Sequence, residues 1–111
     1  MIRDAAKHTW MGVGGAPGRA AGMACVLRRG ESPQVPAGAI LVVRILHPHQ
    51  APLLLRISGV VVEEAALLQH ATTLAREFGL PAVLGVRDAT ELFGDGDWLE
   101  IDGAIGQVRR R

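Results

Sequence analysis

Tyrosine is absent from these 111 residues, tryptophan and phenylalanine occur twice each, and cysteine occurs once. A single cysteine excludes an internal disulfide and fits a reducing compartment, so a cytoplasmic chain is expected. Cys25 falls in the apolar run Met23 to Leu27 and reads as a small buried hydrophobe. Aromatic residues are only 4% of the chain while hydrophobic residues are 49%, so a core has to be built from Ala, Val, Leu and Ile. An excess of either charge is also missing. The net charge of +1 argues against nucleic acid or an anionic membrane as the main partner. The Arg109-Arg110-Arg111 end reads as a solvated terminus. The apolar runs are too short to cross a bilayer, and Arg3, Asp4, Lys7 and His8 interrupt the region where a signal peptide would need its apolar stretch. The length suits one domain, residues 1–111, with one core.

Three segments invite a chemical reading and fail on context. GVGGAPG, from Gly12 to Gly18, opens no helix and lacks the Lys-Ser/Thr of a P-loop. It is therefore neither a dinucleotide fingerprint nor a nucleotide cradle, but a turn shaping β-structure. His47-Pro48-His49 offers two metal-type ligands without a third nearby, so no metal site is expected. Asp95 and Asp97 stand in Gly-Asp-Gly-Asp, where aspartate forms turns more readily than it does catalysis.

The segment Gly59 to Val86 is richer. Val60 to Val62 reads as a short buried strand. Leu67, Leu68, Ala71, Leu74, Ala75 and Phe78 follow at helical spacing on one face. Gly79, with Pro81 two residues on, stops that helix, and a second short strand follows. His70 sits at the edge of the apolar stripe. Around this unit the pattern predicts strands near Trp10 to Val13, Ala21 to Arg28 and Ile40 to Ile45, and a surface loop from Arg29 to Ala37. It also predicts a short helix over Gln50 to Ile57, a helical turn over Asp88 to Phe93, and a closing hairpin. In that hairpin Trp98 to Ile101 pairs with Ala104 to Arg109 through the Asp102-Gly103 turn. Mixed strands and helices make the class α/β or α+β.

HATTLAREFGLPAVLG, from His70 to Gly85, resembles the histidine motif of the mobile, or swivelling, domain of phosphoenolpyruvate-utilising enzymes. The matching residues are His70, Ala71, Ala75, Arg76, Glu77, Gly79, Pro81, Ala82, Val83 and Gly85. The glycine-rich segment Gly12 to Leu27, the strand AGAILVV and the hairpin DGDWLEIDGAIGQV are similar to family segments in the family's order, from Gly12 to Val108. The resemblance implies a three-layer β/β/α swivelling domain of the α/β class. It also implies that His70 is the catalytic residue, accepting a phosphoryl group at one site and donating it at another. Arg76, Thr73 and Gln69 are secondary candidates. No cofactor is expected in this chain. ATP and Mg²⁺ would be held by a partner ATP-grasp nucleotide-binding domain, and the acceptor would sit on a further domain. The chain would then be a component of a dikinase-like phosphotransferase. The alternative is a swivelling domain kept as a docking or regulatory module.

The sequence departs from the family just before the histidine. Ala65-Ala66 stand where the family has Gly-Gly, and Gln69 stands where it has a small hydroxyl or thiol residue. Glu63-Glu64-Ala65-Ala66 favours helix. A helix starting near Glu63 would place His70 almost two turns inside, beyond the reach of the helix dipole, with two carboxylates facing an incoming phosphoryl donor. Glycines at 65 and 66 with Thr at 69 are accordingly expected to speed phosphorylation.

Overall fold

The computed structural model describes residues 8–28, 34–64 and 68–111, the side chains of 68–70 excepted. Eight strands, β1 (Thr9–Met11), β2 (Val13–Ala16), β3 (Arg19–Leu27), β4 (Ile40–Val43), β5 (Gly59–Val62), β6 (Ala82–Leu84), β7 (Trp98–Asp102) and β8 (Gln107–Arg110), form one sheet in the order β1-β8-β7-β3-β4-β5-β6-β2. A 3-10 helix, Pro48–Leu55, connects β4 to β5. Helix α1 (Leu68–Glu77) connects β5 to β6, and the short α2 (Ala89–Leu92) follows β6.

Two features turn this sheet into layers. Strand β3 serves both halves: Arg19 to Met23 pair antiparallel with β7, and Ala24 to Leu27 pair parallel with β4. At the ends of the strand order, β1 and β2 are separated by Gly12 alone, so the sheet folds back towards itself. The Gly12 N–H closes the join with the Gly106 carbonyl at 2.7 Å. The parallel strands β3 to β6 form a middle layer. The antiparallel strands β1, β8, β7 and the first half of β3 lie on one side, and the helices lie on the other. This is the β/β/α arrangement that the family resemblance implies.

The apolar runs follow from burial on both faces of the middle layer. In β4 the residues alternate. Leu41 and Val43 join Leu54, Ala71 and Ala75 in the core under the helices. Ile40 and Val42 join Phe93, Leu99, Ile101 and Val108 in the core between the two strand layers. Cys25 is buried in the first of these cores, as its setting predicts. Residues 29–33 of the expected surface loop lie outside the described residues. The rest of that loop carries an apolar plug, because Val35 is buried among the same core residues.

The contact face of α1 differs from the simple wheel. Ala71 and Ala75 are buried, whereas Leu74 and Phe78 pack at the margin and remain half-buried. The small residues at the centre let the helix axis approach the sheet. The stop at Gly79 is a complete Schellman motif. Gly79 has φ +67°. The Leu80 N–H reaches the Ala75 carbonyl at 2.9 Å and the Gly79 N–H reaches Arg76 at 3.1 Å. The closing hairpin forms as expected, and Asp102 Oδ1 caps its turn by accepting from the Ala104 N–H at 2.9 Å.

Candidate functional site

The carboxyl ends of parallel strands form a crevice in open α/β sheets, and polar residues gather there. In this chain β4 runs on into Arg44, β5 into Glu63 and Glu64, and β6 into Gly85, Arg87 and Asp88. Helix α1 begins at this end, and His70 is the third residue of the helix as described. The expectation of a helix from near Glu63 is corrected. Glu63 is in a bend and Glu64 in irregular chain. Their N–H groups continue the ladder beside β4, reaching the Val43 and Arg44 carbonyls at 2.9 Å each. Ladder pairing outcompetes the helix propensity of the two glutamates, so the helix starts after Glu64. Residues 65–67, including Ala65 and Ala66, lie outside the described residues.

The two carboxylates are also engaged. Glu63 Oε1 accepts from the Thr90 N–H at 3.0 Å and from the Thr90 hydroxyl at 2.8 Å. Glu64 Oε2 accepts from Arg44 Nη1 at 3.1 Å. Each is drawn to a partner within the fold, and the picture of two unengaged charges facing a phosphoryl donor does not hold. The sequence did carry a signal for this. A carboxylate placed directly after a fully buried strand needs a nearby donor, and Thr90 is the buried polar residue that supplies it.

The secondary candidates separate. Gln69 and His70 occupy the first described turn of α1. Thr73, one turn further along, is exposed. Arg76 is six residues beyond His70, about 9 Å along the helix axis. It lines two open grooves at the opposite end of the parallel strands. One, of about 290 Å³, is shared with Ala16, Pro17, Gly79 and Leu80. The other, of about 270 Å³, is bounded by Gly14, Gly15, Gly103 and Ala104. Arg76 therefore belongs with the β2 turn rather than with the His70 end of the helix.

The remaining polar candidates have structural partners. His47 and His49 stack at 5.4 Å between ring centroids. The His47 N–H donates to Gln50 Oε1 at 2.8 Å. Among the described residues no group of three or more His, Cys, Asp or Glu side chains forms a metal-type cluster. Asp95 accepts from the Val26 N–H at 2.7 Å, and Asp97 from the Gly94 N–H at 2.9 Å. Both act as turn and strand-end caps, in line with their reading as turn formers. No helix among the described residues is long and apolar enough to cross a membrane.

A β/β/α layered domain with a histidine on the helix that follows its third parallel strand defines a recognisable class. Residues 35–106 match the family "PEP-utilising enzyme, mobile domain", and the chain belongs to that family. A probable phosphoenolpyruvate synthase of Pyrococcus horikoshii is 35% identical over 98 residues, covering 87% of this chain and 12% of that protein. A rifampicin phosphotransferase of Bacillus cereus is 39% identical over 87 residues, covering 78% and 10% respectively. The chain thus spans about an eighth or less of these relatives' lengths. The fold is also that of an aconitase X chain from Thermococcus kodakaraensis, with a TM-score of 0.74, 21% identity, and coverage of 93% of this chain and 98% of that one. At that identity the likeness concerns the fold alone.

Proposed function

We propose that this chain is a phosphohistidine carrier. In this reading a neutral His70 ring nitrogen attacks the phosphorus of a donor held by a partner domain. The new N–P bond forms as the donor's P–O bond breaks, and the leaving oxygen keeps the electron pair. The acceptor then takes the phosphoryl group from His70 and returns the imidazole. An imidazole suits the task because its ordinary pKa, about 6.5, leaves the nucleophilic form abundant near neutrality. ATP and Mg²⁺ would be supplied by an ATP-grasp nucleotide-binding partner, since positioning and charge neutralisation dominate phosphoryl transfer. The observation that carries this reading is the family match across residues 35–106, with His70 on the first described turn of α1.

The test is labelling with ATP carrying ³²P at both the β and γ positions, in the presence of a nucleotide-binding domain from a family relative. An acid-labile, base-stable label that disappears in His70→Ala is the expected result. A second reading, a docking or regulatory module, is favoured by Gln69 in place of the family's small hydroxyl or thiol residue. The absence of label from wild-type chain, with a donor that phosphorylates other mobile domains, would select it.

A further inference from the structure

Between the ends of β3 and β4 lies a pocket of about 110 Å³. Leu27 and Val43 form its apolar part, and Arg28, Arg44, His47 and Gln50 its polar part. We propose that this pocket binds one phosphate-class oxyanion, held by the two guanidinium groups and the side-chain amide of Gln50.

Gln50 carries the argument. It is polar yet only 6% exposed. Its carbonyl oxygen is committed, because the atom facing the His47 backbone N–H at 2.8 Å has to be an acceptor. The Gln50 N–H returns a bond to the His47 carbonyl at 2.9 Å, so the residue is fixed at both ends. That leaves the amide NH₂, with two donors and no acceptor among the described residues. Buried donors without acceptors are costly, and an anion in the pocket would satisfy them.

The charges agree with this. Two arginines line the pocket, and among the described residues its lining contains no carboxylate. Among the described residues Glu64 pairs with Arg44 at 3.1 Å; both side chains are well exposed, at 39% and 54%. A pair so open to water holds its partner weakly, so Arg44 can share its fork with a second oxyanion. Size restricts the ligand. The volume equals about three to four water molecules at roughly 30 Å³ each, enough for one tetrahedral oxyanion and too little for a nucleoside.

Binding here does not require His70 to be phosphorylated. A role in holding donor or product phosphate for the histidine does rest on the carrier reading. The two are separated by titrating ¹⁵N-labelled chain with inorganic phosphate against chloride at constant ionic strength. Saturable shifts of the Gln50 side-chain amide, with Arg44 and Arg28 responding, are expected. Gln50→Glu keeps the acceptor for the His47 N–H but replaces the donors with a carboxylate oxygen. It should weaken phosphate binding by about tenfold or more while the remaining resonances stay in place. Arg44→Gln should weaken it as well. His70→Ala should bind phosphate as the wild type does, even though it loses any phosphohistidine label. The proposal is overturned by a response no larger than that to chloride, by one confined to Arg109, Arg110 and Arg111, by unchanged binding in Gln50→Glu, or by loss of binding in His70→Ala. Tighter binding of ATP than of phosphate would also overturn it, since the pocket has no room for the nucleoside.

Discussion

Thr90 donates both its backbone N–H and its hydroxyl to one oxygen of Glu63, at 3.0 and 2.8 Å. The pair ties the end of β5, where the chain turns towards His70, to the short helix after β6. Thr90 is buried, so removing the acceptor strands two donors away from water. Glu63→Ala should therefore destabilise the fold by about 1–3 kcal/mol, the cost of buried groups left unsatisfied. Urea unfolding measures this directly. A shift in midpoint no larger than that of an exposed substitution such as Glu91→Ala would contradict it.

Much of the architecture was legible from the sequence because it depends on local signals. The buried runs Ile40 to Val43 and Val60 to Val62, the Gly79 stop and the Asp102-Gly103 turn each state their element. The start of α1 was not legible. Helix propensity counts Glu63 and Glu64 as helix formers, but their N–H groups are taken by carbonyls at the end of β4. That competition depends on a strand neighbour twenty residues away. The Gln50 amide and the Arg44 fork were illegible for the same reason: each gains meaning only where β3 and β4 end side by side.

Alanine rather than leucine occupies the centre of the α1 contact. Leu74 is half-buried, so Leu74→Ala should cost about 1–2 kcal/mol, below the 2–5 typical of a fully enclosed leucine. Ala75 has no exposed surface. Ala75→Leu should cost about 1–3 kcal/mol by forcing the helix off the sheet. Chemical denaturation of the two variants gives the order. Leu74→Ala as the more damaging change would mean that the helix is anchored at its margin.

Gly103 sits at a close backbone crossing with β2 and β6. A Cβ there would collide with the Ala16 carbonyl oxygen and press on the Ala82 nitrogen. Both neighbours are backbone held in or at strands, so neither can rotate away as a side chain would. Gly103→Ala should lower stability by about 1–3 kcal/mol or more, whereas Gly94→Ala, which meets nothing within 4 Å, should change it little. Equal melting temperatures for the two variants would refute the crossing.

Acid should weaken the closing hairpin through Asp102. Partial burial on its own raises this carboxyl's pKa, but the Ala104 and Ile105 N–H groups and the Arg19 guanidinium outweigh it and hold the pKa below the usual aspartate value. A carboxyl whose folded pKa is depressed contributes stability that is fully present above its unfolded pKa and is lost as pH falls through the folded one. The difference in stability between wild type and Asp102→Asn should be constant above about pH 5 and shrink below about pH 4. A difference that grows on acidification would reverse the assignment.

The start of α1 after Glu64 changes what is expected of the residues before His70. Glu63 is held by the neutral donors of Thr90 and keeps its charge, while Glu64 is partly offset by Arg44, so the repulsion of a phosphoryl donor is reduced rather than removed. The described part of α1 runs from Leu68, and with Glu63 and Glu64 outside the helix the dipole argument against His70 loses its premise of a start at Glu63. Glycine at 65 and 66 with Thr at 69 was expected from sequence to speed phosphorylation. With the helix beginning where it does, the gain should be small, below about tenfold, which corresponds to 1.4 kcal/mol in the barrier. Rapid-quench measurement of the acid-labile label, with one nucleotide-binding partner and both chains at equal concentration, compares the rates. His70→Ala should carry no label, and His47→Ala and His49→Ala should carry it at or near the wild-type amount. A gain of a hundredfold or more in the glycine variant would show that residues 65–69 themselves limit the reaction and that engaging the two glutamates does not compensate for the missing glycines.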